Sequence, residues 1–305
     1  MSLKLTILGS HSATPRVEAA PTAQVLEIKN HTFLIDCGEG TQIQLRKFKI
    51  SFAKINHIFI SHLHGDHFFG LIGLLSSFGL LSRTKTIHIY APTGLKEIIE
   101  LQLKISESRI GFPLEFHELS NPKSECIYED KNVEVHTIPL SHRIYTNGFL
   151  FKEKPDFQHL NVSAISQYPE IERCDYFNLK KGKDFIQSDG HIIPNSLLTF
   201  PPKKPLQFAF CSDTSYQPRI IPLLTHVDLL YHEATFTSKD EELAIKTGHS
   251  TAQQAGKIAK KSKVGKLIIG HFSSRYKGFQ GHLEEAKAVF EKTELAGDGK
   301  VFIVD

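Results

Sequence analysis

Residues 61–70, SHLHGDHFFG, constrain this chain more than any other stretch, because three histidines and an aspartate fall within six positions directly after the apolar run 57–61, HIFIS. A run of that kind predicts a buried strand, and the apolar FFGLIGLLSSFGLL that follows predicts a helix. The charged and imidazole-bearing segment is therefore a strand-to-helix loop, turned at Gly65. Extended chain leaving the strand lets His62 and His64 point to one side, while Asp66 and His67 open the next turn and aim at a neighbouring point. Two cations can sit side by side there. Surface histidines on a turn are the plain alternative, and the strand–loop–helix context weighs against it.

Imidazole nitrogens and carboxylate oxygens suit Zn²⁺. Two metals roughly 3.5 to 4 Å apart can hold a hydroxide between them and clamp both oxygens of a phosphodiester displacement. The composition agrees with a metal-rich reading in one respect only: 17 histidines in 305 residues. Otherwise it is that of an ordinary soluble globular protein, 40% hydrophobic and 23% charged. The net charge of +3 is too small to announce nucleic-acid binding by itself. Cys37, Cys126, Cys174 and Cys211 form no CxxC pair, which points away from a disulfide framework or a cysteine zinc site. With no secretion-signal pattern at the N-terminus and no apolar run of membrane-spanning length, a cytoplasmic protein with no membrane partner is expected.

Along the chain, 3–9 and 24–36 predict a strand and then a hairpin turning at Asn30-His31, followed by a glycine-bearing turn at 37–41 and a short basic helix over 42–49. A strand at 87–92 precedes a helix that Thr93 or Gly94 caps and that runs through Leu103. The second half repeats one device: VEVHTIPLSH ends at His142, LQFAFCSD at Asp213 and KLIIGH at His271. Layered α/β proteins build sites at the carboxyl ends of strands, so these three residues are expected to converge on one edge. Each taken singly also reads as a polar residue entering a loop.

The motif H-x-H-x-D-H, with FLIDCGEGTQ before it and GLIGLL after it, resembles the metallo-β-lactamase superfamily, and within it the ribonuclease Z branch that processes tRNA 3′ ends. PLSH142, CSD213T and IIGH271FSSRY follow in the order that family shows. LYHEATF (230–236) resembles its HEAT motif and TGHST (247–251) its GHST partner. The resemblance covers nearly the whole chain. It implies an α/β fold, the αββα sandwich, as a single domain over 1–305 with a substrate-binding arm inserted at 150–205. It assigns His62, His64 and His142 to one zinc, Asp66, His67 and His271 to a second, and Asp213 as the bridge, giving two Zn²⁺ per chain with Mn²⁺ as an alternative ion. It also implies a homodimer acting on precursor tRNA, releasing the 3′ trailer by endonucleolytic cleavage on the 3′ side of the acceptor stem.

The chemistry expected on that basis is attack on phosphorus by a metal-bridged hydroxide, with Asp66 holding it and taking its proton. His249 is the candidate general acid for the departing 3′ oxygen, and Glu233 the carboxylate that keeps it protonated. Asp36, at the end of FLID, can orient a ligand histidine or merely begin a turn. Arg275, with Ser273 and Ser274, can clamp a phosphate, or be an exposed loop arginine. Ser250 or Thr251 can cap the helix after 251, which would leave His249 incidental, and His232 and Glu233 can be a structural pair.

The segment 151–204 carries Lys152, Lys154, Lys180, Lys181, Lys183, Lys203 and Lys204 among Phe157, Tyr168, Tyr176 and Phe177, as a phosphate-neutralising, base-stacking arm would. It lacks the glycine-proline-rich element of the family's arm, and RIYTNGF replaces the usual run after PLSH. The other reading is a small β-rich extension with turns at KKGKDF and QSDGHIIPN. Two further functions stay open: a binuclear phosphodiesterase or exoribonuclease acting on small or generic RNA substrates, and a non-catalytic RNA-binding protein. The latter is disfavoured because all seven ligand positions hold competent residues.

Overall fold

The structure, a computed structural model, describes residues 2–14 and 16–305. Two seven-stranded sheets form its framework. The first runs Val301–Val304, Leu3–Gly9, Ala23–Ile28, His31–Ile35, Ile55–Phe59, Ile87–Pro92, Leu114–Leu119 from edge to edge. Its first four strands pair antiparallel, and the pairing is parallel from His31–Ile35 onward. The second runs Thr293–Leu295, Lys266–Gly270, Leu229–Glu233, Gln207–Cys211, Asn147–Glu153, Val133–Pro139, Cys126–Glu129, with the first four parallel.

Period-two patterning produces the layers. Phe33, Phe59, Phe149, Phe151, Phe208, Phe210 and Tyr231 all enter one buried cluster fed by both sheets. Their neighbours turn away: Leu34 and Ile58 pack beneath the helix Leu71–Leu80, and Leu150, Ala209, Leu230 and Ile269 beneath the helix Ala252–Ser262. The order is helix, sheet, sheet, helix. Each buried aromatic contributes about 2 to 3 kcal/mol of burial, and Phe59→Ala, at the centre, would cost about 3 to 5 kcal/mol.

Lys29 and Asn30 take positive φ at the predicted hairpin, and the helix over 95–105 starts from Gly94, whose φ of 103° no other residue adopts comfortably. The basic helix is Thr41–Lys47, slightly shorter than its charge pattern suggests.

Glu153–Pro205 is a separate compact unit. It is not β-rich: short helices Val162–Ile165, Tyr176–Lys180 and Asn195–Leu198 outweigh two ladders of two residues each. Ile165, Ile171, Leu179, Ile193 and Leu198 form its own small core. Among the described residues, no helix is long and apolar enough to cross a membrane.

Candidate metal centre

The carboxyl ends of the parallel strands deliver the site. His62 follows Ile55–Phe59, Asp36 follows His31–Ile35, Asp213 follows Gln207–Cys211, and His271 follows Lys266–Gly270. Three of these, Asp36, Asp213 and His271, sit in the left-handed region, with φ of 56°, 57° and 59°. That conformation costs a side-chain-bearing residue about 1 to 2 kcal/mol, so it persists only where the surroundings over-determine it, as at built sites. The abrupt turn stops each strand and swings its polar side chain over the sheet end. The motif loop is held against the 37–41 turn by Cys37 N–H donating to His67 O (2.7 Å) and Gly70 N–H to Cys37 O (2.9 Å). A Cβ on Gly70 would lie 2.0 Å from Gly38 O, so only glycine permits that approach.

Two principal donor groups result, and Asp213, His249 and His271 form a third set that overlaps them. His62, His64, His142 and Asp213 form one, and Asp66, His67 and His271 another, with the donor atoms inside each group within 4.8 Å of one another. Asp213 faces both. Its Oδ2 lies 3.3 Å from His62 Nε2 and 3.8 Å from His142 Nε2, and its Oδ1 lies 3.0 Å from His271 Nε2 and 3.3 Å from His67 Nε2. Asp66 Oδ2 is 3.5 Å from both His67 Nε2 and His271 Nε2.

The outer ring nitrogens determine what the inner ones can do. His67 Nδ1 donates to Asp36 (2.7 Å), His62 Nδ1 to Ser61 Oγ (3.0 Å), His142 Nδ1 to Gly248 O (2.8 Å) and His271 Nδ1 to Thr235 Oγ1 (3.0 Å). Ser61 O–H in turn donates a hydrogen bond to Asp36 Oδ2 (2.9 Å), and Thr235 O–H donates one to Glu233 Oε2 (2.6 Å). With Nδ1–H committed outward, the four Nε2 atoms face inward, and each presents a lone pair there once its proton is gone, the arrangement that orients imidazole toward a cation. His67 Nε2 and His271 Nε2 nevertheless approach to 3.3 Å, and His62 Nε2 lies 3.0 Å from His64 Nδ1. Lone pairs crowded in this way need a positive charge among them, and nitrogen and carboxylate donors of this kind fit divalent ions such as Zn²⁺.

Electrostatics divide the groups. Burial and neighbouring histidines keep His62 and His142 below the usual histidine value and push His64 down to about 4. Burial opposes charge on His67 and His271 as well, but Asp213 with Asp66 outweighs it, raising His67 well above normal and His271 to about 10. Burial would raise Asp213 and Asp66, yet the histidines around them hold both carboxyls far below the ordinary range. The second group therefore exchanges protons for any cation it takes up.

His249 stands beside the donor groups with its ring 5.1 Å from that of His142 and 5.4 Å from that of His271, its side chain 13% exposed. Its Nδ1 is 2.8 Å from Glu233 Oε1. Burial lowers its pKa, but the Glu233 carboxylate more than compensates and the net shift is upward. Thr251 does cap the helix Ala252–Ser262, in a capping box with Gln254. The cap and the inward-facing His249 coexist, since the residue between them, Ser250, donates N–H to Glu233 and O–H to Thr214 O. His232 and Glu233 are not a side-chain pair: His232 Nδ1 meets the Glu233 carbonyl at 2.7 Å.

Arg275 lies outside the donor cluster, exposed, with Nη1 3.3 Å from Asp240 Oδ1 and its guanidinium 5.5 Å over the Phe236 ring. Ser273 Oγ accepts from Arg275 N–H (3.5 Å), and the Ser274 carbonyl accepts from Arg16. Ser61, Thr235 and the Gly248 carbonyl escaped sequence reasoning. The only signal was position, since each adjoins or completes a motif already singled out.

Fold and site define the class, a metallo-β-lactamase-fold protein with histidine–carboxylate clusters that could hold metal ions. The fold recurs in YhfI of Bacillus subtilis, described as a metallo-beta-lactamase fold protein, at TM-score 0.70 and 18% identity over 99% of each chain. The short form of human tRNase Z superposes with TM-score 0.72 at 28% identity over 98% of each chain. Ribonuclease Z of Porphyromonas gingivalis strain W83 is 45% identical over 96% of each chain. Residues 3–159 also match the family model described as Anti-Pycsar protein Apyc1. The chain belongs to the ribonuclease Z family.

Proposed function

We propose that this protein is a metal-dependent endoribonuclease that cleaves precursor tRNA on the 3′ side of the acceptor stem and releases the 3′ trailer. The observation that carries the site reading is Asp213, whose two oxygens face two separate donor groups 3.0 to 3.8 Å away. His62, His64 and His142 would hold one Zn²⁺, Asp66, His67 and His271 the other, with Asp213 shared; Mn²⁺ is the alternative ion. When bound, such ions neutralise charge on the phosphoryl oxygens and lower the pKa of water.

The chain's own groups supply the rest. Asp66, held ionised, aligns the attacking water by accepting its hydrogen bond and receives its proton. His249, kept protonated by Glu233, delivers a proton to the departing 3′ oxygen. Arg275, Ser273 and Ser274 meet the substrate backbone farther out, where the guanidinium would exchange Asp240 for a phosphate.

Glu153–Pro205 is the tRNA-gripping element in this reading. Phe157 and Phe177 are exposed with rings 6.0 Å apart, and Lys181 Nζ lies 4.2 Å over the Phe177 ring, beside exposed Lys180 and Lys183. Exposed aromatics interleaved with lysines suit unpaired bases and phosphates. The protein would act as a cytoplasmic homodimer, which sedimentation analysis checks directly.

The test is to replace the inserted unit by a short turn. Lys152 pairs opposite Gln207 across antiparallel strands, so a tight hairpin can join them. Loss of precursor-tRNA cleavage with survival of chromogenic diester hydrolysis supports the reading. Retention of full tRNA cleavage refutes the gripping role.

A further inference from the structure

We propose that His88, Glu115 and His117 form a further divalent-cation site, separate from the catalytic centre and located where the edge strand of the first sheet meets its neighbour. His88 lies on Ile87–Pro92, and Glu115 and His117 on Leu114–Leu119, the last strand of that sheet. The register sets His88 opposite Glu115 and Tyr90 opposite His117. Residues two apart on one strand share a face, so all three side chains stand on the same side.

The donor atoms are already gathered. His88 Nδ1 is 3.1 Å from Glu115 Oε2 and 3.3 Å from His117 Nε2, and the three ligand atoms lie within 4.8 Å of one another. Tetrahedral Zn²⁺ with bonds of about 2.0 to 2.1 Å separates its ligands by about 3.3 Å. Two nitrogens and one carboxylate oxygen leave a fourth position for water.

The surroundings favour ligand-ready imidazoles. His57 stacks on His88 with ring centres 4.8 Å apart, and Tyr90 stacks on His117 at 4.3 Å, which fixes both rings. His57 Nδ1 is buried without a hydrogen-bond partner among the described residues. From His57 to His62, the first histidine of the catalytic loop, the chain advances five residues, the first of them along the strand Ile55–Phe59 at about 3.3 Å each. His57 pairs with His88 near the start of parallel strands whose far ends lead to the catalytic loop, and no ligand is shared between the cluster and the donor groups proposed there. A bound ion would pin the edge strand Leu114–Leu119, whose outer side meets no further strand among the described residues.

Zinc bound to the full chain after equilibrium dialysis against buffered Zn²⁺ tests this, comparing the unaltered protein with His88→Ala, His117→Ala and Glu115→Gln. The expected result is a loss of one zinc per chain in each histidine variant, at least a tenfold higher free-zinc requirement for that ion in Glu115→Gln, and unchanged precursor-tRNA cleavage. Glu115 is exposed, so its substitution serves where a histidine variant fails to fold. Equal zinc content and affinity in the unaltered protein and any folded variant overturns the proposal.

Discussion

Glu233 and His249, sixteen positions apart, meet at 2.8 Å through Oε1 and Nδ1 in the wall of the site, with the carboxylate wholly buried. Glu233 also accepts from Thr214 N–H, Ser250 N–H and Thr235 O–H, so its charge is satisfied without water. That ties the proposed proton donor and, through Thr235, the ring of His271 to one anion.

Replacing His249 by Ala removes the proton donor but no member of the two principal donor groups. Single-turnover cleavage of precursor tRNA should slow by roughly a hundredfold to ten-thousandfold, with metal content unchanged. A parallel loss of metal would move His249 among the ligands instead.

Glu233→Gln keeps the shape and removes the charge. Because Glu233 is what raises His249, the His249 pKa should fall, and the protonated form should disappear at lower pH. The alkaline limb of the rate profile should therefore shift toward acid. An unmoved limb would show that Glu233 does not set this titration.

Asp36→Asn tests the outer hydrogen bonds. Asparagine tolerates the positive φ found there, but the amide is a weaker partner for His67 Nδ1. Metal affinity, measured by chelator competition, should drop about 10- to 100-fold while the fold persists. Unchanged affinity would make Asp36 a turn residue only.

The left-handed backbone at Asp213 gives a prediction independent of catalysis. Both Asp213→Ala and Asp213→Gly lack the carboxylate, yet in chelated protein the glycine variant should be more stable to urea by about 1 kcal/mol. Equal stabilities would mean the strand end relaxes once the carboxylate is gone.

Much of this was legible in the sequence. The resemblance carried by H-x-H-x-D-H implied the layer order, and His142, Asp213 and His271 each end an apolar run. What was not legible acts across long sequence separations through single atoms: Thr235 beneath His271, the Gly248 carbonyl behind His142, and the pairing of His88 with His117. Within 153–205 the sequence left a small β-rich extension open beside a substrate arm, and the helices there were not legible because four or five residues are too few to show a period.

The most direct measurement maps the cut on a transcribed precursor tRNA by metal-replete and by chelated protein. One cleavage on the 3′ side of the acceptor stem is predicted, abolished by chelation and restored by Zn²⁺. An intact precursor with metal-replete protein, or undiminished cutting after complete metal removal, would contradict the account.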